Sequence, residues 1–119
     1  MNTYINQGRY YPNLNVEEID KATNGMGAEW MHEEVREVLD QCFDIFEDAV
    51  IIHDIDYTYG NCPTDKEDAD TRFLYNMRLS CWHEIPWYLP TRYFRFMGYA
   101  KVLYLFVKYG GDEAFKKII

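Results

Sequence analysis

The chain predicts an all-α domain built on two long antiparallel helices, and three observations carry that reading. Apolar residues recur at helical spacing from Trp30 to Tyr57. A second helical stripe follows Pro63 and runs through Phe73, Leu74, Met77 and Cys81. Only Gly60 to Thr64 separates the two, a connection short enough to make the helices antiparallel neighbours. At 119 residues and 48% hydrophobic content, the chain predicts a single domain over 1–119, with a core that needs no staples.

Residues 1–28 read as irregular, with Pro12, Gly25, Gly27 and several Asn; a short helix fits 16–22 after Asn15. The first long helix carries Val35, Val38, Leu39, Cys42, Phe46, Ala49 and Val50 on one stripe and ends near Tyr59-Gly60. Thr64-x-x-Glu67 has the form of a capping box for the second, with Asp65 favouring its N-terminal dipole. After Pro86 and Pro90, Thr91 can cap a third helix to Tyr109. There Gly110-Gly111 stops it, and Asp112 starts a short terminal helix. The third helix is apolar on most faces between Val102 and Val107, a pattern that predicts burial on two sides.

Composition excludes several roles. Net charge is −8, and residues 86–119, with six basic and two acidic side chains, hold +4, which leaves −12 for the rest. An acidic body does not suit nucleic acid. It suits a cation, and the basic, aromatic C-terminal end suits an anionic surface. Neither a signal peptide nor a transmembrane segment is visible. Three cysteines, Cys42, Cys62 and Cys81, lack metal-type spacing, and their odd number argues against a disulfide framework. These features point to a reducing cytoplasm, or to release without a signal. Cys42 and Cys81 read as core thiols.

The most informative segment is His53-Asp54-Ile55-Asp56-Tyr57. The first apolar stripe, extended, lands on His53 and then Tyr57, at i and i+4. The second, run backward, lands on Ala69 and Asp70. Polar groups at core-facing positions are costly to bury without partners. With the hairpin centred near residue 61, His53 lies opposite Ala69-Asp70, so each explains how the other is buried. A histidine held by a buried carboxylate is a general base whose tautomer its partner sets. Asp54, one step around the helix, is placed to ligate a hard cation. Calcium also takes backbone carbonyls, and Thr23-Asn24-Gly25-Met26-Gly27-Ala28-Glu29 is the candidate N-terminal metal-binding loop.

Here the chain resembles the phospholipase A2 superfamily, in particular its small phage and viral branch. The resemblance rests on His53-Asp54-x-x-Tyr57, on Ala69-Asp70-x-x-Phe73 of the antiparallel helix, and on Asn24-Gly25-Met26-Gly27 upstream. It covers roughly residues 21 to 82. It implies a phospholipase A2-like fold with C-terminal helices closing the core, and calcium-dependent hydrolysis of a phospholipid acyl ester, sn-2 in type. His53 would deprotonate a water; Asp70 would orient His53, helped by Tyr57. Asp54 and the carbonyls of Gly25, Gly27 and Glu29 would hold Ca2+, and the Gly27 N–H would meet the oxyanion. The expected partner is a phospholipid or membrane surface, and the expected setting the cytoplasm or a virion. The chain departs from the family where a disulfide normally joins the loop to the first long helix: Met26 and Val50 stand there. Ala28 and Glu29 replace the loop's second glycine pair.

Several residues admit plainer readings. Asp56 reads as solvated, and Asp68 is an off-stripe alternative partner for His53. His32 and His83 read as surface residues. Trp82, Trp87 and Tyr88 suit either a lipid entrance or a helix corner. Two other classes stay open: a non-catalytic phage or prophage structural or host-interaction protein that keeps the dyad for stability, and a metal phosphohydrolase using His32 with His53-Asp54.

Overall fold

The computed structural model describes residues 1–23, 33–60 and 62–118, with side chains of 23, 33–35, 63 and 110–118 left aside. A 3-10 turn over Tyr11–Asn13 leads into α1 (Val16–Thr23), α2 (Glu33–Tyr59), α3 (Pro63–Glu84) and α4 (Pro90–Ile118). The regular structure among the described residues is all helical, with no strand. None of the described helices is long and apolar enough to cross a membrane.

α1 starts where Asn15 and Glu18 cap each other. The Glu18 N–H donates to Asn15 Oδ1 (2.9 Å), and the Asn15 N–H donates to Glu18 Oε1 (3.2 Å). α2 packs lengthwise on α3, and both pack on α4. Their shared core contains the predicted Cys42, Phe46, Ala49, Phe73, Met77 and Cys81, joined by Phe96, Ala100, Leu103 and Val107 of α4. Periodicity thus placed the α2–α3 seam where it lies.

The structure corrects two boundary expectations and one of burial. Pro63, not Thr64, opens α3, with Cys62 in extended conformation at the N-cap and no side-chain cap. Proline's fixed φ suits the first helical position, and starting there moves Thr64 inside the helix, so the capping box does not form. α4 runs through Gly110-Gly111 to Ile118 as one helix instead of stopping at Tyr109. Glycine weakens a helix by about 1 kcal/mol but keeps its N–H, so it does not forbid one. The third correction concerns Val102 and Leu105, which are exposed while Leu103 and Val107 are buried. α4 is therefore covered on one side, not two.

The first fifteen residues lie as a strap across α2 and α3. Asn76, fully buried, grips Asn6 in both directions: the Asn6 N–H donates to Asn76 Oδ1 and Asn76 Nδ2 donates to Asn6 O, each at 2.9 Å. The Asn2 N–H donates to Asp48 Oδ2, the Tyr4 hydroxyl donates to Glu84, and Arg9 pairs with Asp65. Gly8 takes φ +67, which glycine adopts without strain.

Candidate active site

The last turns of α2 and the first turns of α3 bring the predicted dyad together. His53 Nε2 lies 3.0 Å from Asp70 Oδ1, and the Tyr57 hydroxyl donates to the same oxygen at 2.6 Å. All three side chains are buried. Ala69 is fully buried beside Tyr57. Phe73, one turn beyond Asp70, stacks on the imidazole at 4.4 Å between ring centroids, and Tyr57 flanks it at 4.3 Å. The ring is thereby fixed in rotation as well as in position.

One member of this network was not anticipated. Lys66 Nζ donates to Asp70 Oδ2 at 2.7 Å, and also lies 3.2 Å from the Lys108 carbonyl and 3.4 Å from that of Val107. Lys66 and Asp70 stand at i and i+4 on the buried side of α3. The α3 stripe, carried back one more turn, arrives at Lys66, and that was the available signal. Asp70 thus has partners on both oxygens. Burial works to raise its carboxyl, but hydrogen bonds and charge from His53, then bonds from Lys66 and Tyr57, outweigh it and hold the group below the usual range. With Asp70 ionised, Nε2 carries the hydrogen of the His53–Asp70 bond. In the neutral ring this tautomer leaves Nδ1 with its lone pair.

Asp54 behaves differently. It is half-buried, and burial pushes its carboxyl up to about 6 against the pull of His53. Such a carboxylate is short of positive charge, the condition a cation relieves. In that respect Asp54 fits a calcium ligand. Gly25, Gly27 and Glu29, the other expected ligands, lie outside the described residues, as do Met26 and His32.

The remaining candidates sort by burial. Asp56 is not solvated: it is buried, and its Oδ2 accepts from Arg72 Nη1 at 2.7 Å. Late in α2 the helix is enclosed on several sides, by α3 and by the strap at Gly8, so a one-face reading fails there. Asp68 is exposed and takes no part in the dyad. His83 is exposed and stacks on Tyr4 at 4.2 Å. Trp82, Trp87 and Tyr88 are exposed around the α3–α4 corner. Trp82 is twelve residues beyond Asp70, roughly 18 Å along α3, so these rings do not line the dyad. Comparison with protein-family models, curated proteins and solved structures found no match.

Proposed function

We propose that the chain hydrolyses the sn-2-type acyl ester of a phospholipid, with water activated by His53 and Asp70. The observation that carries this reading is the His53–Asp70 bond at 3.0 Å, with Tyr57 on the same carboxylate oxygen. It is supported by the resemblance of the surrounding motifs to the phospholipase A2 superfamily. Nδ1 of His53 takes a proton from water as its oxygen bonds to the ester carbonyl carbon. Asp70 stabilises the imidazolium so formed. The proton then passes to the leaving alkoxide as the acyl C–O bond breaks, releasing a fatty acid and a lysophospholipid. Tyr57 and Phe73 hold the base in one orientation throughout. Asp54 and the backbone carbonyls of Gly25, Gly27 and Glu29 would hold a calcium ion, which would supply positive charge toward the developing oxyanion, and the Gly27 N–H would donate a hydrogen bond to it.

The test is fatty-acid release from mixed phospholipid micelles, with calcium and then with chelator. Calcium-dependent release that falls at least a hundredfold in His53→Ala is expected, on the order of a general base's contribution. Release unchanged in that variant sinks the reading.

Lys66 favours a second reading. It neutralises Asp70 and ties α3 to carbonyls of α4, which is what a purely structural network would do. On that reading the chain is a non-catalytic phage-type structural or host-interaction relative, folded and inert toward lipid in both conditions.

A further inference from the structure

The outer face of α4 carries a pattern that the dyad does not use. Between residues 90 and 109 the helix has four basic side chains and no acidic one, in a chain of net charge −8. Its inner side, with Phe96, Ala100, Leu103 and Val107, is core. Its outer side is apolar too: Phe94, Val102, Leu105 and Tyr109 are exposed at helical spacing, Phe94 at 70% and Tyr109 at 72%. Arg95, Lys101 and Lys108 are exposed beside them. At the head of the helix Trp87 is 91% exposed, with Tyr88 edge-on to it at 5.9 Å. An open hollow of about 350 Å³ lies there between Tyr88, Leu89, Arg92 and Arg95.

Large apolar side chains exposed on one helix face at this spacing point to a docking surface. The chemistry of its fringe selects the occupant. Trp and Tyr settle at the boundary between water and lipid. Arg and Lys lay their stems on apolar surface while their charged ends reach phosphate. A helix with such a face lies in the plane of a membrane surface. Charge selects further, because an anionic bilayer repels the acidic body and attracts this face, which fixes orientation.

We propose that the outer face of α4, with the α3–α4 corner, is a docking surface for an anionic lipid bilayer. It rests on the reading of lipid as this chain's partner, but it needs no turnover. Trp87, Arg92, Phe94 and Arg95 lie twelve or more residues before Val107 and Lys108, whose carbonyls meet Tyr57 and Lys66, so variants at the head of the helix separate docking from chemistry.

The test is co-flotation with vesicles of ether-linked phosphatidylglycerol or phosphatidylcholine, in chelator, so that neither hydrolysis nor calcium bridging contributes. The substituted residues are exposed, and circular dichroism checks that the variants fold. Wild type should float with phosphatidylglycerol and release as salt rises. Arg92→Gln/Arg95→Gln should bind roughly 25-fold more weakly, about fivefold per cation removed. Trp87→Ser/Phe94→Ser should also bind more weakly. No flotation by wild type, or equal flotation by all three proteins, overturns the proposal. So does a wild-type dimer, seen without vesicles, that the same variants dissociate, because the face then belongs to a second copy. Flotation without fatty-acid release from ester lipids leaves docking standing and removes the hydrolase reading. Release from micelles without flotation does the reverse.

Discussion

Lys66 and His53 hold opposite oxygens of one carboxylate, that of Asp70. The three groups form a buried unit in which each charge has a counterpart. Breaking such a unit from one side is far worse than removing a pair together. Asp70→Asn removes the anion that Lys66 and His53 both bond within this buried network and should cost about 3–5 kcal/mol. Lys66→Met leaves Asp70 with His53 and Tyr57 and should cost less. The double variant Lys66→Met/Asp70→Asn should be more stable than the sum of the singles predicts by at least about 1 kcal/mol. Urea unfolding of the four proteins measures this. Additive costs would mean that the two residues do not share a network.

Two carboxylates in this region give opposite pH dependence. Asp70 is held below the usual range, so its stabilising contribution is present above the unfolded pKa near 3.9 and is lost as pH falls through the folded value. Asp54 is raised to about 6, so the folded state binds its proton more tightly than the unfolded chain does. Its contribution is most favourable below about 4 and declines as pH rises through 6, by up to about 3 kcal/mol for a two-unit shift. Asp56, raised by burial against the pull of Arg72, acts in the same direction as Asp54. In chelator, these groups should therefore place the Tm maximum at about pH 4, with Tm falling as pH rises to about 7 and levelling off above, and falling below about pH 4 as Asp70 is protonated. Asp54→Asn should raise Tm by several degrees at pH 8 and leave it nearly unchanged at pH 4. A variant that lowers Tm at pH 8 would show that Asp54 has a cationic partner in the folded chain.

The His53–Asp70–Tyr57 geometry was legible because it depends on two periodicities and one short connection. Counting from the hairpin at residue 61 places His53 against Asp70 whatever the rest of the chain does. Lys66 lay on the same α3 stripe, but a lysine on a helix normally keeps its charge in water, so nothing local singles it out. The Asp56–Arg72 pair was illegible for another reason. It is enclosed by Gly8, 48 residues away in the chain, and no pattern within α2 announces that cover. The boundary errors at Thr64 and Gly110 are competitions between local signals, won by Pro63 in one case and by continued backbone hydrogen bonding in the other.

Thiol reactivity should divide the cysteines. Burial pushes the Cys42 thiol up to about 12 and the Cys81 thiol up to about 11, so neither forms thiolate at neutral pH. Cys62 is only half-buried, at the start of α3. A disulfide reagent at pH 8 should titrate one thiol rapidly in the native chain and three in denaturant. Cys62→Ser should abolish the rapid phase. Three rapid thiols in the native chain would contradict the packing of α2 on α3.

Two glycines should respond to alanine with opposite signs. A Cβ on Gly8 would lie 3.0 Å from Asp56 Oδ1 and 3.1 Å from Arg72 Nη1, on a backbone at φ +67. The left-handed conformation alone costs an alanine about 1–2 kcal/mol, and the contact would push on the buried ion pair as well. Gly8→Ala should therefore destabilise by about 2 kcal/mol or more. Gly98 is exposed within α4, and a Cβ added there would meet nothing within 4 Å. There alanine only reduces the entropy of the unfolded chain and improves helix propensity, so Gly98→Ala should stabilise by about 0.5–1 kcal/mol. Urea midpoints of the two variants settle the matter. A neutral Gly8→Ala would mean that the strap does not press on Asp56, and with it would go the account of why that carboxylate is buried at all.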